Sequence, residues 1–157
     1  MSQANRRSIL NSIHGLGLLA FSLSAGLLTP LRALAAWPKA AFDAKTSKDV
    51  VEVLFKGLPI EKSSAVSVVA PDLAENGAIV PITIMSELRG IESITLLADE
   101  NPRALASTYT LGKRAVLPFS TRIKLAKTQN VTAIVQAQGK LYSATARITV
   151  SVGGCGG

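Results

Sequence analysis

Two hydrophobic periodicities divide the chain. Around residues 46–56 the apolar positions Val50, Val53 and Leu54 fall on one helical face. Thr46 with Asp49 forms a capping box ahead of them, and Gly57 and Pro59 close the segment. One short helix is predicted there, after a lead-in over 36–45. From Ser64 onward the period changes to two. Strands are predicted over 65–69, 78–85, 91–98, 107–111, 115–119, 122–127, 131–138 and 141–152. Residues 72–77 read as a polar turn, and Gly139-Lys140 as a hairpin signal. Pro81 inside its run predicts an edge strand or a bulge, because proline cannot donate to a ladder. Seven or eight short strands at about ten-residue spacing predict an all-β fold, an antiparallel β-sandwich with a short N-terminal helix.

The first 35 residues follow another logic. Arg6 and Arg7 open the chain, an uncharged apolar run covers 15–28, and Ala33-Leu34-Ala35 supplies a small-residue cleavage pattern. Those three parts predict an export signal over 1–35, cut after Ala35. The alternative is a retained anchor, since 8–31 carries no charge and is long enough to span a bilayer. Serines, glycines and His14 dilute its hydropathy. The adjacent arginines followed by Ser8-Ile9-Leu10 resemble a twin-arginine signal, read by the route that exports folded proteins. The predicted organisation is signal 1–35, β domain 36–152 and a glycine-rich arm 153–157.

Composition then removes most chemistry. The chain has 17 Lys plus Arg, 10 Asp plus Glu, one His and one Cys. Loss of 1–35 takes Arg6, Arg7 and Arg32 and no acid, so the formal charge falls from +7 to +4. Arg122, Lys124 and Lys127 alternate with Ile123 and Leu125 without an interleaved aromatic. They read as solvated strand positions, and no nucleic-acid partner is expected. His14 leaves with the signal. Without histidine, Ser-His-Asp and Cys-His catalysis and imidazole metal sites are excluded. Asp99 and Glu100, beside the Asn101-Pro102 turn signal, read as a solvated turn rather than an acid/base pair. An enzyme with its own catalytic groups, cofactor or metal is not expected.

One segment remains to carry chemistry: Gly153-Gly154-Cys155-Gly156-Gly157. Glycine places almost no restriction on the backbone and offers no side chain to pack. From Val152 the thiol reaches about 10 Å at about 3.3 Å per residue. Nothing nearby activates it, and a free thiol has an ordinary pKa of about 8.5. An arm that presents a nucleophile without activating it describes a carrier, loaded and unloaded by other proteins. Three other readings stay open. Cys155 could be a stray exposed thiol in a frayed tail. Cys155 could join two copies of a structural or recognition module through an intermolecular disulfide. It could also bind a soft metal such as Cu(I), although one thiolate makes a poor site.

With its twin-arginine-type signal, aliphatic β domain and terminal Val-Gly-Gly-Cys-Gly-Gly, the sequence resembles the SoxY family, sulfur-compound carrier subunits of the periplasmic thiosulfate-oxidising (Sox) system. The resemblance implies an immunoglobulin-like fold and a heterodimer with the SoxZ subunit. It implies that Cys155 is the covalent attachment point for sulfur, with no other cofactor. A haem enzyme, SoxAX, would couple thiosulfate to it; SoxB would release sulfate, leaving a persulfide; SoxCD, or sulfur-globule formation where that is absent, would deal with the remaining sulfane sulfur. The protein would be a non-catalytic carrier in the periplasm, with no stable membrane anchor after cleavage.

Overall fold

The computed structural model describes residues 38–151, which lie within the 36–152 span expected for the β domain. Two helices come first, α1 (Lys39–Asp43) and α2 (Ser47–Phe55). Nine strands follow: β1 (Ile60–Lys62), β2 (Val66–Val69), β3 (Leu73–Ala74), β4 (Val80–Ser86), β5 (Ile91–Leu97), β6 (Leu105–Thr110), β7 (Phe119–Ile123), β8 (Gln129–Ala137) and β9 (Lys140–Val150). The larger sheet runs β1-β9-β8-β5-β6, and β3 also pairs with β9; the smaller sheet runs β2-β4-β7. The expected sandwich is present, antiparallel except where the short β1 and β3 lie parallel to β9.

Strand alternation divides the core. Ile94 and Leu96 of β5, Val131, Ala133 and Val135 of β8, and Ile148 of β9 face the smaller sheet. There they meet Val66, Val80, Ile82, Ile84 and Ile123. The opposite face of the larger sheet presents Leu97, Leu105, Ile134 and Leu141 to Ala41, Val50 and Phe55 of the helices. Burial of aliphatic side chains on both faces supplies the cohesion that an internal disulfide would otherwise add. Tyr109 of β6 ties one edge of the sandwich to β7. Its hydroxyl lies 2.7 Å from Thr121 Oγ1, and its ring is 4.7 Å from that of Phe119.

The helical reading needs two corrections. The capping box holds: the Asp49 N–H donates to Thr46 Oγ1, and the Thr46 hydroxyl donates to Asp49. Lys56, in the left-handed conformation, ends α2 with Gly57 behind it. However, Phe55 rather than Val53 completes the buried face with Val50, while Val53 is exposed. Residues 39–43 form a separate turn of helix that burial of Ala41 seats on the sheet.

Three strand expectations also shift. The runs at 115–119 and 122–127 contribute only their adjoining ends to one strand, β7, because residues 111–118 form a mostly exposed loop and the Lys124 carbonyl and Ala126 N–H bond the Asn101 side chain instead of a strand. Lys124 and Lys127 therefore lie beyond β7 rather than on it, exposed as expected. Pro81 sits in β4, the middle strand of its sheet, rather than on an edge strand or bulge. The pairing of β4 with β2 covers only Thr83 to Ser86, so at Pro81 the strand has β7 alone as neighbour. A missing N–H is tolerated where one side of the strand is unpaired. The β8–β9 hairpin turns through Gln138 and Gly139, both with positive φ, and Lys140 pairs with Ala137. A two-residue turn with both central residues left-handed matches the twist of the strands it joins.

Candidate functional site

The residues singled out as chemically important lie mostly outside the described span. Arg6, Arg7, Ala33 and Ala35 of the signal fall there, as do Gly153, Gly154, Cys155, Gly156 and Gly157 of the arm. The described residues place the arm's point of departure, Ser151, and everything that holds it.

Among the described strands, the one leading to that point is the most heavily paired. On one side β9 matches β8 from Lys140↔Ala137 to Ile148↔Gln129. On the other, β1 covers Leu141 to Ser143 and β3 covers Thr149 and Val150. The last three residues are each fastened. The Thr149 N–H donates to the Asp72 carbonyl at 2.9 Å, and the Val150 N–H to Thr128 Oγ1 at 2.9 Å. Ser151 donates from its N–H to the Ala74 carbonyl at 3.0 Å and from its hydroxyl to the Glu75 carbonyl at 3.1 Å. Four such bonds fix the backbone over the last described residues.

The loop that supplies the three carbonyl acceptors is itself fixed. The Ala78 N–H donates to Asn76 Oδ1 at 2.9 Å, an Asx turn, and the Leu125 N–H donates to the Gly77 carbonyl at 2.7 Å. Gly77 is buried where a Cβ would come within 2.5 Å of the Leu125 carbonyl oxygen and 2.9 Å of Val150 Cγ1. Only glycine fits without displacing backbone. Residues 72–77, read from sequence as a polar turn, are therefore the clamp on the arm's root. The Leu73-Ala74 pair is too short for its alternation to register as a strand.

The other carboxylates have structural work. Asp99 Oδ1 accepts the Ser47 N–H at the start of α2 (2.7 Å), and Glu100 pairs with Lys127 at 2.6 Å. They serve different partners, in keeping with the solvated-turn reading. Among the described residues no cluster of three or more His, Cys, Asp or Glu could hold a metal ion. Among them, too, no helix is long and apolar enough to cross a membrane.

Comparison with known proteins bears on the whole domain. A family model described as sulfur oxidation protein SoxY matches residues 51–155, so the match takes in Cys155. The structure of the sulfur carrier protein SoxY from Chlorobium limicola f. thiosulfatophilum aligns with a TM-score of 0.60 and 34% identity, over 67% of this chain and 96% of that one. A variant of the superoxide reductase (neelaredoxin) from Ignicoccus hospitalis aligns at TM-score 0.51 and 14% identity, covering 62% of this chain and 98% of that one. At that identity the likeness extends to the fold alone. No curated protein matches. A family match over two thirds of the chain, and a SoxY structure that shares its sandwich at 34% identity, make this chain a member of the SoxY family of sulfur oxidation proteins.

Proposed function

We propose that this protein carries sulfur intermediates covalently on Cys155 during thiosulfate oxidation and presents them to partner enzymes. The observation that carries the proposal is the fastening of β9 up to Ser151, four residues before the one cysteine of a SoxY-family chain. A rigid root followed by a glycine-rich tether suits repeated delivery of one sulfur atom to several active sites. The glycines Gly153, Gly154, Gly156 and Gly157 give the backbone its freedom.

The chemistry balances as follows. Cys155 thiolate and thiosulfate lose two electrons to a haem enzyme of the SoxAX type, forming an S–S bond and leaving a cysteine S-thiosulfonate. Water then cleaves the S–SO3 bond on a SoxB-type hydrolase. Sulfate and protons leave, and a persulfide remains on Cys155. A SoxCD-type dehydrogenase takes six electrons from the outer sulfur while water supplies three oxygens, leaving an S-sulfonate on Cys155, and a second SoxB-type hydrolysis releases it as sulfate and restores the thiol. The protein supplies the attachment point and no catalytic group or further cofactor. The export signal with Arg6 and Arg7, cleaved after Ala33-Leu34-Ala35, would take the folded chain to the periplasm with its SoxZ partner.

Intact-protein mass spectrometry tests this directly. Incubation with thiosulfate and the oxidising enzyme is expected to add one thiosulfonate mass on Cys155. Cys155→Ser is expected to abolish the adduct and sulfur turnover while the fold persists. An unmodified protein, or an adduct elsewhere, overturns the proposal. Full turnover by Cys155→Ser with loss of a reducible dimer would support the disulfide-linked module instead.

A further inference from the structure

We propose that the segment wrapping the arm's root is the docking surface for the enzyme that loads Cys155, a proposal that rests on the carrier function above. Cys155 is the fourth residue after Ser151, which at about 3.3 Å per residue limits the reach to about 13 Å. Ser151 is fastened to the Ala74 and Glu75 carbonyls, so that distance is measured from a fixed point. An enzyme whose reacting atoms must come within it cannot stand off from the carrier. Its surface has to meet the rim around Ser151, and more closely still if its active site lies at the end of a channel.

That rim is not neutral. Leu73, paired with Thr149 two residues before Ser151, is 54% exposed, and Ile79, two residues past the buried Gly77, is 59% exposed. Large aliphatic side chains left in water beside the tether are positioned for burial by a visitor. Residues 70–80 carry two exposed acids, Asp72 and Glu75, and no base, on a chain whose described part is otherwise rich in lysine and arginine. The partner's chemistry follows by complementarity. It is an enzyme whose channel mouth offers an apolar contact to Leu73 and Ile79 and basic side chains to Asp72 and Glu75. The contact is brief and repeated, so a small surface suffices.

Steady-state loading of the full carrier, together with its SoxZ subunit, tests the surface, with thiosulfate and the oxidising enzyme as reagents. The double variants Leu73→Asp/Ile79→Asp and Asp72→Lys/Glu75→Lys are each compared with wild type. Each is expected to lower kcat/KM for the carrier about tenfold or more with kcat unchanged, the mark of lost docking. The charge-reversed variant leaves the apolar residues of β3 untouched, so the test survives if the first variant folds poorly. Alkylation of Cys155 by iodoacetamide should stay at the wild-type rate in both. Val116→Asp, on the exposed β6–β7 loop at the opposite end of the strands, should load normally. Loading by both double variants at the wild-type rate overturns the surface. So does loss of the SoxZ subunit from the variants, which would make the patch a subunit interface, or loss of a wild-type self-dimer. If wild type itself acquires no adduct, it is the carrier function that fails.

Discussion

Gly77 shows how a single atom governs the root of the arm. A Cβ there would overlap the Leu125 carbonyl and crowd Val150 of β9, the two groups between which the loop packs. Gly77→Ala is expected to destabilise the fold by about 1–3 kcal/mol, since the obstruction includes backbone. Urea unfolding of the two proteins checks it, and equal midpoints would show that the loop yields freely. Asp43 makes a smaller and pH-dependent contribution. The hydrogen bond from Lys39 and its charge, with a lesser effect from Arg103 at 3.4 Å, hold the Asp43 carboxyl below its ordinary pKa. A depressed carboxylate stabilises the fold above its unfolded pKa, and that help is lost as pH falls through the folded value. A carboxyl-carbon NMR titration should place Asp43 below the usual aspartate range. Lys39→Ala should raise the midpoint further than Arg103→Ala. As an exposed pair, it contributes little to stability at neutral pH.

At the scale of elements, the long strands were legible and the short ones were not. In β8 and β9 the alternation runs for nine and eleven residues, and burial on the core face follows it from Val131 to Val135 and at Ile148. The hairpin between them was displaced by one residue because Gln138, which carries no turn signature, adopts the left-handed conformation beside Gly139. By contrast β1 and β3 have three and two residues and exist because β9 lies alongside. Their partners lie about 80 residues away in sequence, so no local pattern announces them. The helix α1 is one turn that a single buried alanine secures. The site divides in the same way. Cys155 stands out because four glycines surround it, whereas the clamp at Ala74, Glu75 and Thr128 acts largely through backbone carbonyls and one hydroxyl. Carbonyls are common to every residue, and composition cannot flag them.

Across the whole molecule, β9 links the two properties a carrier needs. β8 holds it along most of its length on one side, β1 and β3 hold its two ends on the other, and it leads toward the segment bearing the cysteine. Folding and delivery are therefore separable. Among the described residues the last hydrogen bonds belong to Ser151, and the proposed attachment point, Cys155, comes four residues later in the sequence. Deletion of Gly153 and Gly154 should accordingly leave thermal unfolding unchanged. The same deletion shortens the reach from Ser151 to about 7 Å. A small reagent needs no reach, so iodoacetamide should alkylate Cys155 at the wild-type rate. An enzyme that takes the thiol into a channel does need it, and its loading rate should fall about tenfold or more. The variant Gly153→Ala/Gly154→Ala keeps the length and restricts the backbone, which separates distance from freedom. If distance governs delivery, this variant loads far better than the deletion. Wild-type loading by the shortened arm would mean that the enzyme reaches the cysteine without a tether, and the division of labour along β9 would be wrong.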